Sequence, residues 1–147
     1  MNRISSILRL GVNINKGLLT STKTANFVPQ KFRTFCTMPN IFDVETTEDF
    51  SEKVIQSPVP VIVDFHAEWC GPCQALGPRL EEKINGRGGQ ILLAKINVDY
   101  AGEIAMDYGI TAVPTVFAFK NGEKISGFSG VIDDEQLDDF IDDAINA

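Results

Sequence analysis

Cysteine and histidine are scarce in this 147-residue chain, which holds three of the first and one of the second. Three cysteines are too few to staple a small secreted scaffold. A zinc site on Cys70 and Cys73 would need two more ligands, and Cys36 and His66 are the only further cysteine and histidine. No apolar run approaches the ~18 residues of a membrane span, so no membrane insertion is expected. Acidic residues are absent from the first 42 positions, which carry Arg3, Arg9, Lys16, Lys23, Lys31 and Arg33. The thirteen basic residues in all therefore leave seven for the remainder, against all twenty acids, and the remainder carries −13 within a chain total of −7. Such a domain is no nucleic-acid binder on electrostatic grounds. With 44% hydrophobic residues the chain can build one ordinary core without disulfide support.

The basic segment is also rich in Ser, Thr and Asn, and Ile4, Ile7, Leu8, Ile14 and Leu18 fall near one helical face. This is the composition of a mitochondrial transit peptide. A secretory signal needs an unbroken apolar core, and Arg9 interrupts the only candidate. Residues 1–37 are expected to be this leader, with Arg33-Thr34-Phe35-Cys36 resembling a matrix-protease site. Residues 38–147 are expected to be the domain, with the boundary approximate.

What the domain does have is one compact motif, Trp69-Cys70-Gly71-Pro72-Cys73, after an apolar run interrupted by a single acid, Asp64. Val61 to Phe65 reads as a central strand covered on both faces, and a helix is expected from the cysteine pair to about Asn85, with Pro78 kinking it. Short strands are expected at 41–44, 91–98, 115–119 and 124–128, the last two joined by the hairpin dipeptide Asn121-Gly122. Further helices are expected after Thr46 or Thr47 to about Gln56, over 103–108, and after the cap Asp133. The order β α β α β α β β α implies an α/β fold, a mixed sheet with helices on both faces.

A strand that delivers two cysteines to a helix start is a redox arrangement. Unpaired N–H groups and the helix dipole favour the thiolate of Cys70 there, and Cys73 lies one turn on, within reach of a disulfide. A structural bridge across so short a loop would constrain the unfolded chain little. Asp64 reads either as a proton acceptor whose pKa burial raises, or as a strand-end acid bonded to backbone. Lys95 reads either as its partner or as a lysine reaching for solvent. Pro114 stands at the start of a strand and, on its own, reads as trans. The histidine, His66, reads as packing beside the strand of Asp64.

Taken together, Val63-Asp64-Phe65, Trp-Cys-Gly-Pro-Cys at 69–73, Val-Pro-Thr at 113–115, Asn121-Gly122 and Gly130 fall in the order of the thioredoxin family, which residues 41–147 resemble throughout. Val63 to Trp69 with Leu76 to Leu80 is similar to the mitochondrial thioredoxins of animals, in agreement with the leader. The resemblance implies a thioredoxin fold and a protein-disulfide reductase whose Cys70 attacks and whose Cys73 resolves, closing a Cys70–Cys73 disulfide. It implies Asp64 as the buried acid serving Cys73, assisted by Lys95. Trp69, Gly71, Pro72, Val113, Pro114 and Gly130 would form the docking groove, with Pro114 cis. It also implies no bound cofactor or metal, electrons from NADPH through a thioredoxin reductase, clients such as peroxiredoxins, a monomer, and a place in the mitochondrial matrix. Gln74 stands where lysine is common in the family. A pure binding module would need none of Cys70, Cys73 and Asp64.

Overall fold

A computed structural model describes residues 39–147; the expected leader and Cys36 lie outside the described residues. Five strands form one sheet: β1 (Ile41–Asp43), β2 (Val61–His66), β3 (Leu92–Asn97), β4 (Thr115–Lys120) and β5 (Glu123–Ser129). They lie in the order β1-β3-β2-β4-β5. The first three are parallel, while β4 runs antiparallel to β2 and β5 antiparallel to β4. The helices are α1 (Thr47–Phe50), α2 (Gly71–Gly86), α3 (Gly102–Asp107) and α4 (Asp134–Asn146).

The element order is the one expected, and the differences are local. The first helix leaves α geometry after Phe50 and finishes as a π turn over Ser51–Ile55. Phe50 at the end of α1 and Val54 in the turn are both buried. Thr46 caps α1, its side chain accepting from the Asp49 N–H. The helix α2 runs through Pro78, and its Leu76, Leu80 and Ile84 remain fully buried against the sheet. Asp133 caps α4 with a full capping box closed by Gln136. At the hairpin, Asn121 (φ 53°) and Gly122 (φ 82°) both take the left-handed conformation that a two-residue turn between twisted strands requires.

Alternation along β2 divides the core. Val61, Val63 and Phe65 face one side with Phe50, Ile96, Ile104 and Phe119. Ile62 faces the other with Leu76, Leu80, Leu93, Leu137 and Ile141. Because side chains alternate, Asp64 must point with Ile62, toward the side covered by α2. One odd residue in an apolar strand is thereby aimed at the helix that carries the cysteines.

Candidate active site

Helix α2 begins at the cysteines. Cys70 is its N-cap, in extended conformation, and its Sγ accepts the Cys73 backbone N–H at 3.2 Å. A sulfur so placed receives an N–H that has no partner within the helix, together with the positive end of the dipole; both favour negative charge on it. Pro72 at the start of the helix costs nothing, since its missing N–H would be unpaired there. Cys70 and Cys73 are joined as a disulfide, with Cα atoms 5.3 Å apart. They are 4% and 7% exposed, while Gly71 and Pro72 between them are open to solvent.

Two different surfaces meet the pair. On one, Ala67 clusters with the two cysteines, and Val98 and Val113 pack against that cluster. The Val113–Pro114 bond is cis. The Pro114 carbonyl accepts the Gly130 N–H at 2.8 Å. Thr115, the next residue, donates to the Ala112 carbonyl at 2.8 Å and shares a hydrogen bond with Ser129. The two loops are thus tied at the foot of β4 and β5. Gly130 has φ 87°, and a Cβ there would meet nothing within 4 Å, so its surface is open. Trp69 is 71% exposed, its ring fixed by an indole N–H donated to Asp99 at 3.0 Å.

The other surface is a cleft of about 430 Å³ whose lining includes Asp64, His66, Cys73, Gly77, Glu81 and Lys95. It meets Cys73 and not Cys70. Asp64 is 2% exposed, and its Oδ1 has no hydrogen-bond partner among the described residues. It is therefore not a strand-end acid bonded to backbone through that atom. Burial pushes its carboxyl up to about 6, against the pull of the Lys95 ammonium and with a smaller push from Glu81. Burial, and then Lys95, lower His66.

Lys95 and Asp64 are register partners on β3 and β2, yet the Lys95 ammonium bonds elsewhere, donating to Glu81 Oε1 at 2.7 Å. This bond, first among several causes, raises the Lys95 pKa. Asp64 thus feels Lys95 through space and not through a hydrogen bond. Glu81 and Asp99 are the residues that reading the sequence missed. A signal for the first existed: Cys73, Gly77 and Glu81 recur every four residues on one helix face. Among the described residues, no group of three or more His, Cys, Asp or Glu is placed to hold a metal, and no helix is long and apolar enough to cross a membrane.

The thioredoxin profile matches residues 41–143. The chain belongs to the thioredoxin family. It is 67% identical over 143 residues to a probable thioredoxin-2 of Caenorhabditis elegans, covering 97% of this chain and 94% of that one. It is 42% identical over 130 residues to the mitochondrial thioredoxin of Rattus norvegicus, covering 86% and 75%. Among solved structures it resembles the thioredoxin of Malassezia sympodialis, with a TM-score of 0.64 and 34% identity over 70% of this chain and 89% of that one. The mixed sheet with flanking helices is the thioredoxin fold. The close Cys70–Cys73 pair is the redox centre of a thiol–disulfide oxidoreductase and electron carrier.

Proposed function

We propose that this oxidoreductase works as a protein-disulfide reductase in the mitochondrial matrix. The observation that carries the reductase reading is the division of labour between the two sulfurs: Cys70 is the helix cap, and Cys73 borders the cleft of Asp64. In the dithiol state the Cys70 thiolate attacks one sulfur of a client disulfide. A Cys70–client bond forms, and the client's other sulfur leaves as a thiolate. Cys73 then gives its proton to the Asp64 carboxylate and attacks Cys70 Sγ. The Cys70–Cys73 bond closes and the second client thiolate departs. Two electrons have passed to the client, whose two thiolates take up two protons: one matches the proton that Asp64 releases to solvent, the other the proton Cys70 lost when it ionised. A carboxyl near 6 suits this exchange at neutral pH.

Trp69, Gly71, Pro72, Val113, Pro114 and Gly130 form the docking surface in this reading, where a client strand pairs with the backbone beside the cysteines. Lys95 assists Asp64 through its charge. The oxidised protein is returned to the dithiol by an NADPH-dependent thioredoxin reductase, and peroxiredoxins are among its clients. It acts as a monomer with no cofactor of its own. Residues 1–37 serve as the import leader, a reading supported by their charge and by the similarity to mitochondrial thioredoxins of rat, mouse and cattle.

Two measurements test this. The reduced domain should reduce insulin disulfides, and its oxidised form should be a substrate for thioredoxin reductase with NADPH; failure of both removes the reductase reading. Replacing Arg3, Arg9, Lys16 and Lys23 together with Gln should leave purified activity unchanged and abolish import. Undiminished matrix accumulation of that variant would remove the leader from the proposal.

A further inference from the structure

The partner choice of Lys95 is not the one its strand register suggests. Register pairs in a parallel sheet point to the same face, so the Lys95 stem starts beside Asp64. Pairing with Asp64 would satisfy a buried oxygen, whereas Glu81 is partly exposed and could be solvated by water. The ammonium nevertheless lies on Glu81, two helical turns beyond Cys73 on the same face of α2.

We propose that Glu81 is a positioning residue of the site, holding the Lys95 ammonium off Asp64 so that the buried carboxyl stays unpartnered and free to take the proton of Cys73. The inference rests on the reductase reading for its purpose, and on the geometry of the cleft for its mechanism. Two carboxylates compete for one ammonium. If Lys95 bonded Asp64 directly, the ion pair would favour the carboxylate and make it a poor proton acceptor. Held by Glu81, Lys95 still lowers the cost of ionising Asp64 through space without fixing it as a carboxylate. The other ionisable groups lining the cleft are Cys73 on α2, His66 at the end of β2 and Glu68 in the loop after it. Asp43 on β1 adds its charge on the far side of Lys95, as its register partner. None of these is hydrogen-bonded to Asp64 Oδ1, so the competition is between Asp64 and Glu81 for Lys95.

The test reads Asp64 directly, by the carbon resonance of its carboxyl in the oxidised full-length protein, and in parallel by the pH profile of insulin reduction. Glu81→Gln should lower the Asp64 midpoint by about one pH unit as Lys95 turns inward. The acid limb of the rate profile should move down with it. Glu81→Asp, which keeps the charge, should restore most of the shift. Lys95→Gln should raise the midpoint. In the Lys95→Gln background, Glu81→Gln should shift Asp64 by less than half as much as it does alone. An equal shift with and without Lys95 would mean that Glu81 acts by its own field and overturns the positioning role, as would an unmoved Asp64 in Glu81→Gln. The resonance needs no turnover. Failure of the wild type both to reduce insulin and to be reduced by thioredoxin reductase would thus sink the reductase reading, whereas an unmoved Asp64 beside normal turnover would sink only the role of Glu81.

Discussion

Helix α2 carries two functional stripes, one charged and one facing the cleft, and they are built on opposite terms. On one face Arg79, Lys83 and Arg87 meet Asp134, Asp138 and Asp142 of α4, at 2.7, 2.7 and 2.8 Å. Both sets recur every four residues and rise together, so the helices run in the same direction with their turns in step. Every member has an opposite charge, and Asp138 has two. On another face Cys73, Gly77 and Glu81 look into the cleft, where Asp64 Oδ1 has no partner among the described residues and Lys95 is held to one side. The first stripe completes a surface with charge that does not need to move. The second leaves a buried acid unfinished, which costs stability and keeps a proton exchangeable. The two acids at their centres shift in opposite directions: the Lys83 hydrogen bond, ahead of other causes, lowers Asp138, and burial raises Asp64.

Breaking the working face at its sulfurs should have the largest effect. Cys70→Ser should reduce insulin turnover to background, because serine cannot attack a disulfide at neutral pH. Cys73→Ser should also end turnover, but should hold client proteins on Cys70 as stable mixed disulfides, visible on non-reducing gels and released by dithiothreitol. Trapping by the Cys70 variant, or normal turnover by the Cys73 variant, would reverse the assigned order of attack.

Asp64→Asn should separate stability from activity. The folded carboxyl titrates near 6 against a reference of 3.8, so the native state binds more protons than the unfolded chain between those values. Stability then falls as pH rises from about 4 to about 6, and the cost stays in place above that. A shift of about two units corresponds to about 3 kcal/mol. The Asn variant, which carries no such penalty, should gain about that much at pH 8 relative to the wild type and little at pH 4. Its reduction rate should fall most near neutral pH, where Cys73 does not yet ionise unaided. Denaturant titration at the two pH values checks the first part. A gain that is the same at both would mean that the side-chain amide, not the removed charge, is responsible.

How much of this was legible beforehand follows from which residues act locally. The cysteine pair, the strand that delivers it and the hairpin at Asn121-Gly122 are short-range signals, and each appears in the structure where the sequence places it. Asp64 was legible because a single acid in an apolar strand has few excuses. The choice that Lys95 makes was not. It depends on how far α2 lies from β3, and two carboxylates at similar reach look alike in a sequence. Asp99 was hidden for the same reason, since its bond to Trp69 joins residues thirty apart through the fold. The π turn after Phe50 was not legible, because α and π turns bury the same apolar residues, Phe50 and Val54 here.

The static face should give the smallest effect, and that smallness is what defines it. Its three rungs are partly or fully open to water, where the gain from an ion pair is nearly matched by lost hydration and side-chain freedom. Replacing Arg79, Lys83 and Arg87 with Gln should lower the thermal midpoint by a few degrees at low salt. The difference should shrink at roughly 1 M salt, where screening acts within about 3 Å. Acid supplies the sign check. The lowered Asp138 contributes stability above about pH 4 that is lost as pH falls through its folded value, so the wild type should lose its advantage over the triple variant there. That is the reverse of Asp64→Asn, whose advantage over the wild type opens above the same pH. Insulin reduction and the Asp64 titration should both be unchanged in the triple variant. The ladder reaches α4 and not the cleft, so a displaced Asp64 midpoint would show that the two faces of α2 are coupled through the helix and that the division between them is wrong.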